Sequence, residues 1–333
     1  MKLLVTGGLG FIGSNFIRHI LSLGQEYSLI NFDKMGMGSN PENLKDMDGP
    51  RYKFIKGDLS KSKDLDSIIG VVDAVINIAA ETHVDRSIAD PLPFIESNII
   101  GTFNLLEAER RLDKPIRHVQ ISTDEIYGDI FEGSFNENDK LKPSNPYSAT
   151  KASADMLCQA YHRTYGLDTV ITRCTNNFGP YQFPEKLIPK TIIRALKDLM
   201  LPIYGTGESI RDWIYVEDHC QAIYLSLLEG ESGEIYNIST GNELSVKEIV
   251  MEILDQLNKP LSLMKFVEDR PGHDFRYSLD STKIREHIGW KPTYNFKDAL
   301  NETVEWYVEN EEWWKPLIDS KVLHETPWTF NNK

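Results

Sequence analysis

The sequence predicts an α/β chain: a doubly wound parallel sheet followed by a smaller mixed C-terminal domain. Three observations point there. A buried-type strand over residues 2–6 runs straight into the glycine-rich stretch Gly7-Gly8-Leu9-Gly10-Phe11-Ile12-Gly13 and then into an amphipathic helix. Short apolar runs at residues 28–32, 52–55, 73–78, 116–121 and 169–172 alternate with helical stretches, six strands in all. Finally, the polar clusters fall just past the ends of these runs, where parallel sheets bind their ligands.

Taken in order, the glycines at 7, 10 and 13 let the chain turn tightly, approach a pyrophosphate and pack helix on strand. Phe16, Ile17, Ile20 and Leu21 share the inward face of the helix that follows. The second strand ends in Asp33, about 20 residues beyond the last of these glycines, placed to accept both hydroxyls of an adenosine ribose and to repel a 2′-phosphate. That spacing selects NAD over NADP and marks a Rossmann-type dinucleotide fold. The third strand ends at Gly57-Asp58-Leu59 and the fourth at Ala79-Ala80-Glu81-Thr82-His83, before a helix over residues 94–109. The fifth strand leads into Ser122-Thr123-Asp124-Glu125, and the sixth ends near Asn176-Asn177. Right-handed crossovers would place the ligand crevice between strands one and four.

After residue 178 the character changes. Pro180, Pro184, Pro189 and Pro202 punctuate the chain, and residues 201–207 read as a loop. A strand over 211–216, a helix capped by Asp218 and reaching Leu228, a strand over 235–238 and a helix over 246–257 capped by Ser245 complete the pattern. The expected division is a dinucleotide-binding domain over 1–178, with about 212–240 returning to it, and a substrate domain over 179–333.

Composition narrows the function classes. Of 333 residues 41% are hydrophobic, enough for a packed core. No apolar run reaches the length of a membrane span, and the N-terminus enters a strand without a leader-like segment, so the cytoplasm is the default. With 36 basic and 50 acidic residues the net charge is −14, which argues against nucleic acid or an anionic membrane as a partner. Three scattered cysteines suggest neither a disulfide frame nor a metal site. The cluster at residues 309–312 reads as a solvated acidic helix face.

The stretch with most chemical content is 121–151. Pro146 marks a helix start, and Tyr147 and Lys151 share one face at spacing i, i+4. A neighbouring ammonium favours the phenolate and should lower the tyrosine pKa, so that Tyr147 can take an alcohol proton while a nicotinamide takes the hydride. Asp124 and Glu125 would point to opposite faces if they lay on a regular strand, so they should sit just past it in irregular backbone. Two neighbouring carboxyls resist joint ionisation, which leaves one acid and one base.

With Gly7 to Gly13, Asp33, Tyr147 and Lys151 in place, the chain resembles the extended short-chain dehydrogenase/reductase superfamily. Thr123-Asp124-Glu125 at the end of strand five makes it similar to the dTDP-glucose 4,6-dehydratases. Further matches span nearly the whole chain: residues 79–87, 176–187, Ile210-Arg211-Asp212-Trp213 and Asp269-Arg270-Pro271-Gly272-His273. Where that family has Leu-Thr-Tyr-Ala after Asp33-Lys34, this chain has Met35-Gly36-Met37-Gly38, which removes a threonine contact on the adenosine side and loosens the expected hold on NAD.

The resemblance implies a cycle that oxidises C4 of a hexose, removes water across C5 and C6, and returns the hydride to C6. Tyr147 with Lys151 would deprotonate the C4 hydroxyl, Thr123 would hydrogen-bond the same oxygen, Glu125 would take the C5 proton and Asp124 would protonate the leaving C6 hydroxyl. It also implies NAD contacts from Gly7, Gly10, Phe11, Ile12, Gly13, Asp33, Lys34, Asp58, Leu59, Ala79, Ala80, Glu81, Tyr147, Lys151 and Asn177. The nucleotide sugar would meet His83, Thr123, Asn176, Lys186, Leu187, Pro202, Tyr204, Arg211, Asn237, Arg270 and His273. For His83 a core histidine satisfied by backbone is an equal alternative, and for Tyr204 core packing is a rival to stacking on the base. No metal is expected, and a homodimer through a four-helix bundle is. The competing readings are a nucleotide-sugar 4-epimerase or decarboxylase on the same fold, neither of which needs an acid and a base at 124 and 125, and a non-catalytic NAD-sensing protein.

Overall fold

A computed structural model describes residues 1–329. Its strands are β1 (Lys2–Thr6), β2 (Ser28–Asp33), β3 (Tyr52–Lys56), β4 (Ala74–Asn77), β5 (Arg117–Thr123), β6 (Asp168–Cys174), β7 (Asn176–Phe178), β8 (Leu201–Tyr204), β9 (Ile210–Tyr215), β10 (Ile235–Ile238), β11 (Glu243–Ser245) and β12 (Met264–Val267). Seven of them form one sheet in the order β10-β6-β5-β4-β1-β2-β3, with every pair parallel. The order reverses between β1 and β4, so the crevice opens where the sequence placed it. β10 comes from the second half of the chain and extends the sheet beside β6.

The helices are α1 (Phe11–Leu23), α2 (Val84–Ala89), α3 (Leu92–Phe94), α4 (Gly101–Arg110), α5 (Pro146–Tyr165), α6 (Leu187–Leu196), α7 (Val216–Glu229), α8 (Val246–Gln256), α9 (Thr282–His287), α10 (Phe296–Glu309) and α11 (Glu311–Trp314). Leu3 and Val5 of β1, Ile76 of β4 and Val119 of β5 pack on Phe16, Ile17 and Ile20 of α1 and on Val216, Ile223 and Leu227 of α7. On the opposite face Leu4, Ile30, Phe32 and Val75 pack against Leu105 of α4. Runs buried on both faces are what a covered parallel sheet requires. A separate core joins Ile192 and Ile193 of α6, Ile249 and Ile253 of α8 and Leu300 and Val304 of α10.

Several expectations need correction. Strand and helix do not alternate throughout: short 3-10 turns, Pro41–Leu44, Ser62–Leu65 and Ile69–Val71, stand in for helices on the way to β3 and β4. The helix over 94–109 is interrupted by a π-helical turn, Ile95–Ile100, between α3 and α4. Residues 201–204 are a strand, not a loop, because they pair with β12 more than 50 residues later; Pro202 is tolerated because β8 belongs to a sheet of only two strands. Asp218 lies inside the first turn of α7, whose N-cap is Tyr215. Its carboxylate accepts instead from the backbone and hydroxyl of Thr293 and the backbone of Tyr294. Ser245 does cap α8, in a reciprocal capping box with Glu248.

Candidate active site

Gly7 follows β1 with φ +68, in the left-handed region, and a Cβ there would lie 2.7 Å from the Ala79 backbone. A Cβ on Gly13 would meet the Gly7 carbonyl at 2.3 Å. The two glycines therefore bring the turn against the end of β4 and the start of α1 against the turn, leaving a cradle at the helix N-terminus. Asp33 closes its far side. One carboxylate oxygen accepts from the Leu9 backbone at 3.0 Å; the other accepts from the Met35 backbone at 2.7 Å and the Ser39 hydroxyl at 2.8 Å.

A long cavity runs from this cradle across the carboxyl ends of the sheet. It is lined by Gly7, Gly10, Phe11, Ile12, Gly13, Asp33, Lys34, Asp58, Leu59, Ala79, Ala80, Glu81, Thr123, Asp124, Glu125, Tyr147, Asn176 and Asn177. Gly36 also lines it, so the position that departs from the usual threonine faces the adenosine end. Asn98, in the π-helical turn, fixes the wall beside it: its carbonyl accepts from the Glu81 backbone and its amide donates to the Glu81 carbonyl and to Thr150 on α5.

A second cavity continues from the same end. Its lining includes His83, Glu125, Asn176, Lys186, Leu187, Pro202, Tyr204, Arg211, Arg270 and His273. Glu125, Asn176 and Lys186 border both cavities. The cations that an acidic protein needs for an anionic ligand are gathered here, with Lys190 and Arg194 of α6 added to those read from the sequence. Burial, reinforced by Lys186, Arg86, Lys190 and Arg270, holds the His83 imidazole well below its ordinary pKa. Its Nδ1 is buried without a protein partner.

The two carboxyls occupy the 3-10 turn Asp124–Ile126, immediately past β5 and off the regular strand. Thr123 donates its hydroxyl to Asp124 Oδ1 at 3.1 Å, while Oδ2 is buried without a partner. Burial first, and the charge of Glu125 second, push the Asp124 pKa up to about 8. Glu125 is also raised by burial, but Arg270, Arg211 and Lys186 pull it back, with help from the Asn145 amide. The environments of the two groups thus diverge: one favours a retained proton, the other faces cations.

Asn145 caps α5 through a reciprocal pair with Ser148, and Pro146 occupies the first turn. That geometry fixes Tyr147, whose ring packs edge-on against Phe94 with centroids 6.4 Å apart. Lys151 lies one turn on, buried, with Nζ donating to the Ile121 carbonyl at 2.5 Å. One expectation fails in this arrangement. Burial raises the Tyr147 pKa, and Glu125 and Asp124 add to the rise, opposed by the hydrogen bond to Thr123. Spacing pointed to a lowering by Lys151, but a dry phenol beside two carboxyls is costly to ionise, and the Lys151 ammonium is turned to the Ile121 carbonyl.

Asn237 does not join either cavity. Its carbonyl accepts from the Tyr127 hydroxyl at 2.9 Å and its amide donates to the Phe135 carbonyl at 3.0 Å, inside the core. Lys151 is likewise behind the lining, not in it. The Tyr204 ring packs edge-on against Trp328, centroids 4.6 Å apart, and its hydroxyl donates to Asp85 at 3.1 Å, so packing and a polar tether both hold it. Sequence reasoning missed Ser39, which orients Asp33, and His219, whose Nδ1 lies 2.8 Å from the Asn177 side-chain carbonyl. It also missed Glu185, which pairs with Arg86 at 3.2 Å. Arg86 and Glu185 both lie inside the stretches that carry the resemblance, and that was the available signal.

Comparison with known proteins agrees with this geometry. The family described as GDP-mannose 4,6 dehydratase matches residues 4–303. A dTDP-glucose 4,6-dehydratase of Streptomyces niveus is 47% identical over 95% of this chain and 96% of its own length. DesIV, a dTDP-glucose 4,6-dehydratase of Streptomyces venezuelae solved with NAD and TYD bound, superposes with a TM-score of 0.93 at 46% identity, covering 96% of this chain and all of that one. A Thermus thermophilus UDP-glucose 4-epimerase in complex with NAD is more distant, at 30% identity and a TM-score of 0.85, covering 93% of this chain and all of that one. Matched over most of its length by the family and by these relatives, the chain belongs to the GDP-mannose 4,6 dehydratase family, within the extended short-chain dehydrogenase/reductases.

Proposed function

We propose that this chain is an NAD-dependent hydro-lyase that converts dTDP-glucose to dTDP-4-keto-6-deoxyglucose and water. The observation that carries the reading is the placement of Asp124 and Glu125 in the same cavity as Tyr147 and the glycine cradle. A 4-epimerase or a decarboxylase would use the tyrosine and lysine but has no work for an acid and a base there.

The residues present suit NAD: the cradle at Gly7 and Gly13 admits no side chain, and the Asp33 carboxylate faces the adenosine end. Lys34 and Glu81, paired at 2.8 Å, border the same end. When bound, NAD supplies the hydride acceptor at C4 and the hydride donor at C6. The protein does the rest. Tyr147 removes the C4 hydroxyl proton, with Lys151 as the cation that limits the cost of the phenolate, and Thr123 holds the same oxygen. With Asp124 still protonated, one of the two charges that oppose ionisation of Tyr147 is gone. The C4 ketone acidifies C5–H, Glu125 takes that proton, and Asp124 gives its own to the departing C6 hydroxyl. The C5 proton is then restored.

We assign residues 1–178, with about 212–240, to NAD and 179–333 to the nucleotide sugar; the distribution of the two cavity linings supports this. The second cavity takes the nucleotide diphosphate on Lys186, Arg211 and Arg270. We also infer a homodimer through α3, α4 and α5. Leu92, Ile95, Ile100, Phe103 and Met156 are exposed there, Met156 by 62%, an apolar face that a second copy would cover. Among the described residues no helix is long and apolar enough to cross a membrane, and we place the enzyme in the cytoplasm.

Incubation with dTDP-glucose should give a product lighter by one water in mass spectrometry; an unchanged mass would favour the epimerase. Glu125→Gln should slow elimination by roughly 100-fold or more, the usual weight of a general base, while C4 oxidation, followed by nicotinamide absorbance, falls far less. Equal loss of both steps would remove Glu125 as the base. Sedimentation equilibrium should give twice the chain mass, and a monomer would contradict the proposed interface.

A further inference from the structure

The mechanism leaves one buried carboxylate of the second cavity without a role. Asp85, in the first turn of α2, is 2% exposed and lines that cavity. One of its oxygens accepts from Arg270 Nη1 at 2.8 Å and the other from the Tyr204 hydroxyl at 3.1 Å. These partners come from different parts of the chain, Tyr204 at the end of β8 and Arg270 in the stretch after β12. Arg270 Nε is buried with no protein partner, so the guanidinium is anchored at one corner and keeps a donor free. The Tyr204 ring also packs against Trp328 in an edge-to-face pair. An anionic side chain in a cavity that takes a diphosphate carries two costs, its own desolvation and its repulsion of the ligand. The contacts to Arg270 and Tyr204 offset the first; the second stands uncompensated unless the carboxylate fixes the groups that do the binding.

We propose that Asp85 is a positioning residue for nucleotide diphosphate recognition: it locks the Arg270 guanidinium and the Tyr204 ring, from two separate segments, into the binding arrangement. This rests on the reading of the second cavity given above. Charge and positioning predict opposite outcomes for Asp85→Asn. Simple electrostatics says that removing an anion tightens binding of an anionic ligand. Positioning says that affinity falls, because Arg270 and Tyr204 lose their common anchor and the cost of ordering them moves to the binding step.

The test is calorimetric titration of dTDP into NAD-loaded protein, wild type against Asp85→Asn. The expected result is a dissociation constant raised by about tenfold or more, NAD content equal to wild type, and a KM for dTDP-glucose that rises by a larger factor than kcat falls. Equal or tighter dTDP binding by the variant would overturn the proposal. Failure of the wild-type protein to bind dTDP would instead remove the underlying reading of the cavity. Should Asp85→Asn not retain NAD, Tyr204→Phe decides the matter, because it deletes only the hydroxyl that meets Asp85. Dissociation constants raised several-fold support the anchor, and an unchanged constant overturns it.

Discussion

Two carboxyl groups on consecutive residues, both withdrawn from water, cannot both carry charge cheaply, and the site depends on how that conflict is resolved. Asp124 turns toward the Thr123 hydroxyl in a dry corner and keeps its proton to about pH 8. Glu125 turns toward the Asn145 amide and the field of Arg270, Arg211 and Lys186. One sequence pair thereby holds an acid and a base within a single turn. The same pair sets the state of Tyr147, because its ionisation is opposed by whichever of the two carboxyls is charged.

The fold supplies the conditions for this. β5 lies third from one end of the seven-stranded sheet, between β4 and β6, so its carboxyl end opens on the crevice beside β4 and β1. The strand stops at Thr123, and the 3-10 turn frees the next two side chains from the alternation of a strand. Capping by Asn145 sets the start of α5, which places Tyr147 and Lys151. The second half contributes the cations and the aromatic wall, and Asp85 on α2 ties two of those groups to the first half. Chemistry and nucleotide recognition therefore share Glu125 and Lys186 as a common border.

Much of this was readable from the residues because it rests on local rules. A strand, three spaced glycines, a helix and an aspartate about 20 residues on need no distant partner to be understood, and neither do the start of α5 at Pro146 and the Ser245 cap of α8. What escaped depended on contacts far along the chain. β8 is a strand only because β12 pairs with it, and Asp218 is an acceptor for Thr293 and Tyr294 and not a helix cap. Asn237 has the right chemistry for a phosphate but lies outside both cavity linings, bonded to Tyr127 and Phe135. The direction of the Tyr147 shift was misread for a related cause: spacing reveals the neighbouring lysine but not the burial and the two carboxyls that raise the phenol.

The divided protonation of the two carboxyls can be observed directly. Infrared difference spectra of wild type against Asp124→Asn, taken across neutral and alkaline pH, report the carbonyl stretch of a protonated carboxyl. If Asp124 is the acid, the wild-type protein shows that band at pH 7 and loses it with a midpoint near about 8. A carboxyl already ionised at neutral pH, with its midpoint in the ordinary aspartate range near about 4, would contradict the acid and base arrangement from which everything else follows.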